Sequence, residues 1–414
     1  VEVENNDLKN TMKVLHTSDW HLGQVLHNYN RNMEQENFFC QLKSIVAEEK
    51  PDVMVVSGDI YHTSSPTVAN QKMYTEGILS LHEAYQDMQI VIIAGNHDGR
   101  SRLEIDSSLW SHFKVTVIGN IQYQADGSPD YDRHIVKVTD KEGCDIGYIA
   151  AVPFDYPQNF PADEDTPREK RQKVFFGRLL SKVKTMNTES LPVVLMAHLT
   201  ITGSDMSGHD MSIGGIESTD VDDLGDSYNY LALGHIHCPQ NIKGSHVVRY
   251  CGSPLPVSFD ENYPHSVTMV EMEGLQEVKV RPIEILNPMP LLTLPEEPQP
   301  FEDALNSLSM LPNNKKGYFR LNVTMNDDYL PSDCNERIMA AIKNKAIRYC
   351  YINRNIVEGE KPTEQLKLSI DELQVKSPTE IAKQYFLEKY GLDMDDELES
   401  MMEDAMRKTK RNVL

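Results

Sequence analysis

Short, continuous apolar runs set the rhythm of the chain from Met12 to about Leu286. They lie at Lys13–His16, Val53–Val56, Ile90–Ala94, Val115–Ile118, Gly147–Ala151, Val193–Ala197, Tyr230–Leu233 and Val247–Cys251. Several have no polar alternation, which marks strands covered on both faces and predicts an α/β fold. Between them, apolar residues recur at helical spacing. Glu34–Glu49 places Phe38, Leu42, Ile45 and Val46 on one face. Pro66–Tyr85 opens with Pro at a first helical position. Thr166–Met186 opens T-P-R-E, a capping-box pattern with Thr166 as cap and Glu169 three residues on.

The pattern changes near Pro288. "NPMPLLTLPEEPQPF" is rich in Pro and acidic residues and reads as a linker. A helix (Phe301–Met310), a strand (Tyr318–Met325), a helix (Cys334–Ile347) and a strand (Tyr349–Ile356) follow, a small α+β module. After the charged stretch Glu358–Leu366, "SPTE" at Ser377–Glu380 is a second capping box. It opens two amphipathic helices, Pro378–Tyr390 and Asp395–Lys410. The expected layout is therefore a lead at 1–11, an α/β domain at 12–286, an α+β domain at 287–357, and a linker with C-terminal helices at 358–414. Met12 reads as a natural start, and the residues before it as a lead that is disordered or foreign to the natural chain.

Composition narrows the class. Of 414 residues, 40% are apolar and 25% charged, as in a soluble globular protein. No apolar run approaches the roughly 20 residues that span a bilayer, and the polar, acidic first residues are no signal peptide. Six cysteines without a CxxC pair read as scattered buried thiols in a reducing cytoplasm, not a disulfide framework. The net charge of −23 argues against nucleic-acid binding by bulk basic charge. If the chain handles DNA, bound metals, a local basic patch or a partner must meet the phosphates.

Candidate chemistry sits where the strands end. "VLHTSDWHLG" puts Asp19 and His21 past the first strand, and "VMVVSGDIYH" puts Asp59 and His62 past the second. "VIIAGNHD" puts Asn96, His97 and Asp98 past the third; "VVLMAHLT" supplies His198 and "YLALGHIH" supplies His235 and His237. Ligands of open α/β sheets bind beyond the carboxyl ends of strands. Gly58, Gly95 and Gly234 allow sharp turns and close backbone approach there. A lone His after a strand is usually a hydrogen-bonded structural residue; five such ends in one chain are not explained that way. Carboxylate, imidazole and amide oxygen form a mixed N/O set suited to Mn²⁺, Zn²⁺ or Fe²⁺. The candidates outnumber the four ligands of one tetrahedral ion and suit two ions sharing a carboxylate, the arrangement that hydrolyses phosphoesters.

The motifs D-x-H, G-D, G-N-H-D, H and G-H-x-H resemble the calcineurin-like metallophosphoesterase superfamily. Within it, "HTSDWHLG", "SGDIYHTSSP", "AGNHDGRSRL", "SIGGIES" and "LALGHIHCPQ…YCGSPLPVSFDE" resemble the SbcD family, nuclease subunits of bacterial SbcC–SbcD double-strand-break repair complexes. The motif-bearing part runs from about Met12 to Glu261. The resemblance implies a metallophosphoesterase β-sandwich flanked by helices, then a small α+β DNA-capping domain and C-terminal helices. It implies one metal on Asp19, His21, Asp59 and His237, and a second on Asp59, Asn96, His198 and His235. His97 would protonate or stabilise the leaving oxygen, a role that suits histidine, whose unperturbed pKa lies near neutrality. Asp98 would orient His97, and His62 would steer His97 or the DNA strand. The working metal would be Mn²⁺, with Mg²⁺, Zn²⁺ or Fe²⁺ as alternatives.

The activity so implied is 3′→5′ exonuclease action on duplex ends and endonuclease action on single strands and hairpins. It would serve repair, recombination and replication in the cytoplasm, at the nucleoid when active. An SbcC-type SMC-like ATPase would be the partner, since the chain has no G-x-x-x-x-G-K-[ST] loop. A homodimer within a heterotetramer is expected, formed around Pro66–Tyr85 and the segment after Arg102. Arg100 and Arg102 are candidate DNA contacts at the site mouth; the basic helix carrying Arg168, Lys170, Arg171, Lys173, Arg178 and Lys182 reads as a solvated face. The C-terminal helices would dock in a groove of the partner's coiled coil or pack on their own chain. The competing readings are a small-molecule metallophosphodiesterase or protein phosphatase, and a non-catalytic scaffold that regulates an ATPase.

Overall fold

Each of the eight apolar runs is a strand, and the strands sort into two six-stranded sheets. The computed structural model describes residues 11–208, 218–273, 277–325, 330–356 and 383. In the first sheet Thr11–Thr17, Val53–Ser57, Gln89–Ile93 and Val115–Ile118 run parallel, and Ser266–Glu273 and Glu277–Glu284 extend it antiparallel beside Thr11–Thr17. In the second, Asp145–Ala151, Val193–His198, Tyr230–Gly234 and Val247–Tyr250 run parallel, edged by Ile135–Thr139 and Gln240–Ile242.

Period-two alternation inside these strands explains their continuous hydrophobicity. Val14, Val53, Val55, Val91 and Ile93 of the first sheet cluster with Ile149, Val194, Met196, Tyr230 and Ala232 of the second, forming the core between the sheets. The alternate residues Leu15, Met54, Val56, Ile90 and Ile92 pack with Phe38, Leu42, Val46, Ile78 and Leu81 of the helices Asn32–Glu49 and Val68–Ala84. Leu195, Ala197, Leu231 and Leu233 do the same with Phe175, Phe176, Leu179 and Val183 of the helix Arg171–Met186. Each fully buried aliphatic or aromatic side chain contributes about 1.5–3 kcal/mol. The result is a helix–sheet–sheet–helix sandwich.

Several element ends differ from expectation. Thr67, not Pro66, opens the second helix: its side chain caps Asn70 N at 3.3 Å. The capping box at Thr166 and Glu169 does not form. Pro167 is extended (φ −53°, ψ 142°), Arg168–Lys170 is a 3₁₀ turn, and the α-helix starts at Arg171 without a side-chain cap. The Pro-rich stretch is no linker: Leu291–Gln299 is an edge strand parallel to Gly317–Met325. An edge strand leaves one side of its backbone unpaired, so Pro295 and Pro298 are tolerated. The helix from Cys334 ends at Ala341, and the last strand is Ile347–Ile356. The first strand already begins at Thr11, within the expected lead. All six cysteines are free, but only Cys251 is buried: Cys238, Cys334 and Cys350 are half-buried, and Cys40 and Cys144 are exposed.

The α+β module closes around Ala304, Leu308, Phe319, Leu321, Val323 and Ile338. It belongs to the same compact unit as the sandwich. Tyr318 and Met289 meet Leu26 and Phe259 there. The expected helices Pro378–Tyr390 and Asp395–Lys410, and residues 212–217 of the SIGGIES stretch, lie outside the described residues. Among the described residues no helix is long and apolar enough to cross a membrane.

Candidate metal centre

The loops after Thr17 and Ser57 are stitched together beyond the sheet. Asp19 N donates to Gly58 O (3.0 Å), His21 N to Asp59 O (3.0 Å) and Leu22 N to Ile60 O (2.9 Å). Four residues expected to bind metal have left-handed backbone: Asp19 (φ 53°), His21 (45°), Asp59 (51°) and His235 (97°). Such conformations cost about 1–3 kcal/mol each and persist where the surroundings over-determine them, typically at functional sites. Glycine is required between them. A Cβ on Gly58 (φ +89°) would lie 2.3 Å from His198 Nδ1, and one on Gly95 2.1 Å from Asp59 Oδ1.

All seven expected ligands converge. Asp19, His21 and His237 bring ligand atoms within 4.8 Å of one another, as do Asp59, His198 and His235. His21 Nε2 is 3.1 Å from His237 Nε2 and 3.8 Å from Asp59 Oδ2. Across the site, His198 Nε2 is 3.5 Å from Asp59 Oδ2 and 2.9 Å from Asn96 Oδ1, which is 3.0 Å from His235 Nδ1. Asp59 therefore borders both groups. Asp19 accepts from His235 N (3.0 Å) and from the Ser18 hydroxyl. A third trio, His21, His62 and His97, also falls within 4.8 Å.

This donor set fits divalent cations. Two buried imidazole nitrogens facing each other share a proton or a cation, and their spacing lets both reach one ion at N-ligand bond lengths of about 2.0–2.1 Å. His21 Nδ1 is buried without a hydrogen-bond partner among the described residues. Outer hydrogen bonds turn Nε2 inward on two of the other rings: His198 Nδ1 to Ser57 O (2.7 Å) and His237 Nδ1 to Glu261 Oε1 (3.0 Å). Ligating histidines are held in this way.

Charge is balanced at close range. Burial raises the Asp19 carboxyl, with His198 and His237 opposing. Burial would raise Asp59 too, but His198 and His21 outweigh it and hold Asp59 well below the usual carboxylate range. Burial would lower His198, yet Asp59 lifts it to about 9. Burial holds His21 well below its ordinary value. Protons held by His198 stand where a cation would, so metal binding displaces them.

His97 and His62 lie beside this cluster. His97 N donates to Asp59 Oδ1 (2.9 Å), its ring Nδ1 meets His62 O (2.9 Å), and the two rings stack at 5.6 Å. Asp98 does not orient His97. Its carboxylate accepts from the backbone N–H groups of Gly95 (2.9 Å), Ile60 (3.1 Å) and Tyr61 (2.9 Å), because the turn after Ile93 aims it back at the neighbouring loop. Burial and the Asp59 charge push Asp98 up to about 7.

Arg100 is tied to Asp155 at 3.1 and 3.4 Å and lies 5.8 Å from the Phe154 ring centroid. Arg102 is exposed and makes no ion pair among the described residues. On the basic helix Lys173, Arg178 and Lys182 pair with Asp223, Asp163 and Asp132. Sequence reasoning missed Glu261, which meets His237, and His16, whose ring joins Tyr230 Oη (2.8 Å) and Ser57 Oγ (3.2 Å) beneath the site. Glu261 closes the stretch "YCGSPLPVSFDE", but no local pattern ties it to a histidine 24 positions earlier.

Comparison with known proteins follows the same outline. The family model for calcineurin-like phosphoesterases matches residues 12–239, and one described as the Type 5 capsule protein repressor C-terminal domain (SbcD_C) matches residues 287–390. The chain is 31% identical to the SbcD subunit of the SbcCD nuclease of Rhodobacter capsulatus over 72% of this chain and 76% of that one. It is 28% identical to the Escherichia coli K12 protein of the same name (68% and 70% covered) and 29% to that of Bacillus subtilis 168 (68% and 71%). A dimetal phosphatase structure from Danio rerio aligns at 11% identity with a TM-score of 0.38, over 67% of this chain and 99% of that one.

Proposed function

Because the chain belongs to the calcineurin-like phosphoesterase family, and within it to the SbcD subunits of SbcCD nucleases, we propose that the strand-end cluster is its DNA-cleaving centre. The enzyme is a metal-dependent phosphodiester hydrolase. Asp19, His21, Asp59 and His237 hold one divalent cation; Asp59, Asn96, His198 and His235 hold the other, with Asp59 shared. When bound, the pair supplies positive charge to the scissile phosphate and makes a water more acidic. His97 Nδ1–H donates to the His62 carbonyl, and with the ring in its imidazolium form Nε2 donates the second proton to the leaving oxygen. His62 stacks on that ring and limits its rotation. The strained, hydrogen-bonded loops hold the ligands before substrate arrives, so little reorganisation is needed.

The working metal is Mn²⁺, with 3′→5′ cleavage of duplex ends and endonuclease action on hairpins and single strands. An SbcC-type ATPase is the partner and contributes most of the DNA affinity, a division that the net charge of −23 supports. Residues 12–286 form the nuclease domain, 287–357 the capping domain, and 358–414 the linker and partner-binding helices. Homodimerisation uses the apolar exposure at Val68 (82%), Ile105 (76%) and Leu109 (56%). The protein works in the cytoplasm.

The observation that carries this reading is the delivery of seven ligand-type side chains to one place by five strand ends. The test compares Mn²⁺-dependent cleavage of linear duplex DNA with that of bis-p-nitrophenyl phosphate, partner ATPase present. DNA cleavage should dominate and vanish with EDTA. His97→Ala should lower it by about 100-fold or more while Mn²⁺ still binds. Faster turnover of the small diester would favour a small-molecule enzyme; full DNA cleavage by His97→Ala would move the chemistry elsewhere.

A further inference from the structure

Glu261 carries a carboxylate with no solvent exposure, set directly behind one candidate ligand. Its Oε1 accepts from His237 Nδ1 (3.0 Å) and Ser258 N (3.2 Å). Its Oε2 accepts from Val257 N (3.0 Å) and the Ser253 hydroxyl (3.4 Å), with His265 Nε2 at 3.7 Å. Gly208 covers it so closely that a Cβ there would come within 2.7 Å of Glu261 Cγ.

We infer that Glu261 is a positioning residue for the metal centre. Accepting the Nδ1 proton fixes the His237 tautomer and turns Nε2 toward His21 Nε2, 3.1 Å away. A carboxylate behind an imidazole also makes it a stronger ligand than a neutral acceptor does. His198 has only a carbonyl behind it, Ser57 O at 2.7 Å. The two halves of the site are therefore unequal. The cation on Asp19, His21, Asp59 and His237 gains an extra negative charge behind its ligands, which strengthens its binding. This inference rests on the two-cation reading above. The strand Gly317–Met325 helps hold the segment that carries Glu261. Arg320 pairs with Asp260 at 2.6 Å and lies 5.7 Å from the Phe259 ring centroid.

The test is a Mn²⁺ titration of the metal-free full-length chain, with free Mn²⁺ read by electron paramagnetic resonance. The wild type should bind two ions. Glu261→Gln keeps an acceptor and the side-chain shape but loses the charge. It should weaken one ion by about 10-fold or more and leave the other within about twofold. In a His237→Ala background the same change should cost nothing further. Equal weakening of both ions would make Glu261 a mere loop anchor, and no weakening of either would remove its role; both overturn the inference. Should Glu261→Gln unfold, Glu261→Asp, which keeps the charge but withdraws it from Nδ1, is read the same way. A wild type that binds fewer than two ions instead defeats the two-cation reading itself.

Discussion

His16 shows how a single buried residue ties stability to pH. Its ring is fully buried between Tyr230 and Ser57, and burial, helped by the charge of Arg249, lowers it to about 3. The unfolded ring titrates near 6.5. Below that pH the unfolded chain takes up a proton that the native chain refuses, so stability is full above 6.5 and falls as the pH drops toward 3. The expected slope is at most about 1.4 kcal/mol per pH unit for this one group. His16→Gln removes the proton from the balance. Urea unfolding with EDTA present should then show a midpoint that falls less steeply between pH 6.5 and 5 than the wild type. At the same scale, Asp98→Asn leaves backbone N–H groups of Gly95, Ile60 and Tyr61 facing an amide that can donate. The expected loss is about 1–3 kcal/mol in metal-free thermal unfolding. Residue identity made the candidate ligands that converge legible, because imidazole and carboxylate types at strand ends say what they can bind. It did not reveal which partner Asp98 would choose, because an adjacent ring and a distant loop are equally available to a carboxylate in a linear sequence.

At the scale of elements, the same residue type has opposite effects by position. Gly58 closes the turn after Val53–Ser57 with φ +89°, and an added Cβ would also come 2.9 Å from Gly95 Cα. Gly58→Ala should destabilise by about 1–3 kcal/mol from backbone strain alone and weaken the proposed Mn²⁺ binding by moving His198. Gly177 sits exposed in the middle of Arg171–Met186, with nothing within 4 Å of an added Cβ. Gly177→Ala should stabilise by about 0.5–1 kcal/mol, because only the backbone entropy of the unfolded chain changes. Paired melting curves of the two variants check both signs. Strands were legible because burial on two faces writes an unbroken apolar run. Helix starts were less so: a Thr–Glu pair signals a cap only when the residue between permits helical backbone, and extended Pro167 moved the start to Arg171. Leu291–Gln299 was hidden by its prolines, since local composition cannot distinguish a linker from an edge strand whose partner lies well downstream at Gly317–Met325.

Over the whole molecule, the α+β module and the nuclease sandwich share contacts that no local pattern could announce. Tyr351 lies 4.7 Å from the His27 ring and 5.5 Å from the Phe259 ring, and Arg348 lies 5.5 Å from the rings of both Tyr29 and Tyr318. Phe259, 6% exposed, sits two residues before Glu261. The module thus contacts the segment that carries Glu261, the partner of His237, and its attachment is expected to be coupled to one half of the proposed metal site. Phe259→Ala removes the wedge, and truncating a buried Phe of this kind costs about 3–5 kcal/mol. If the coupling holds, the loss falls mainly on the module's contacts. Proteolysis between Leu286 and Leu291 should then speed up, and the ion held with His237 should weaken while that held with His198 does not. Arg320→Met is the milder version, because it keeps the aliphatic packing and removes only the pair with Asp260. Its effect on the same ion should be smaller, since an ion pair with one exposed partner contributes about 0–1 kcal/mol. A Phe259→Ala chain with faster proteolysis but two unaltered ion affinities would show the module to be a passive neighbour of the centre. Weakening confined to the ion on His237 would show that the placement of the module reaches the chemistry through residues 259–261.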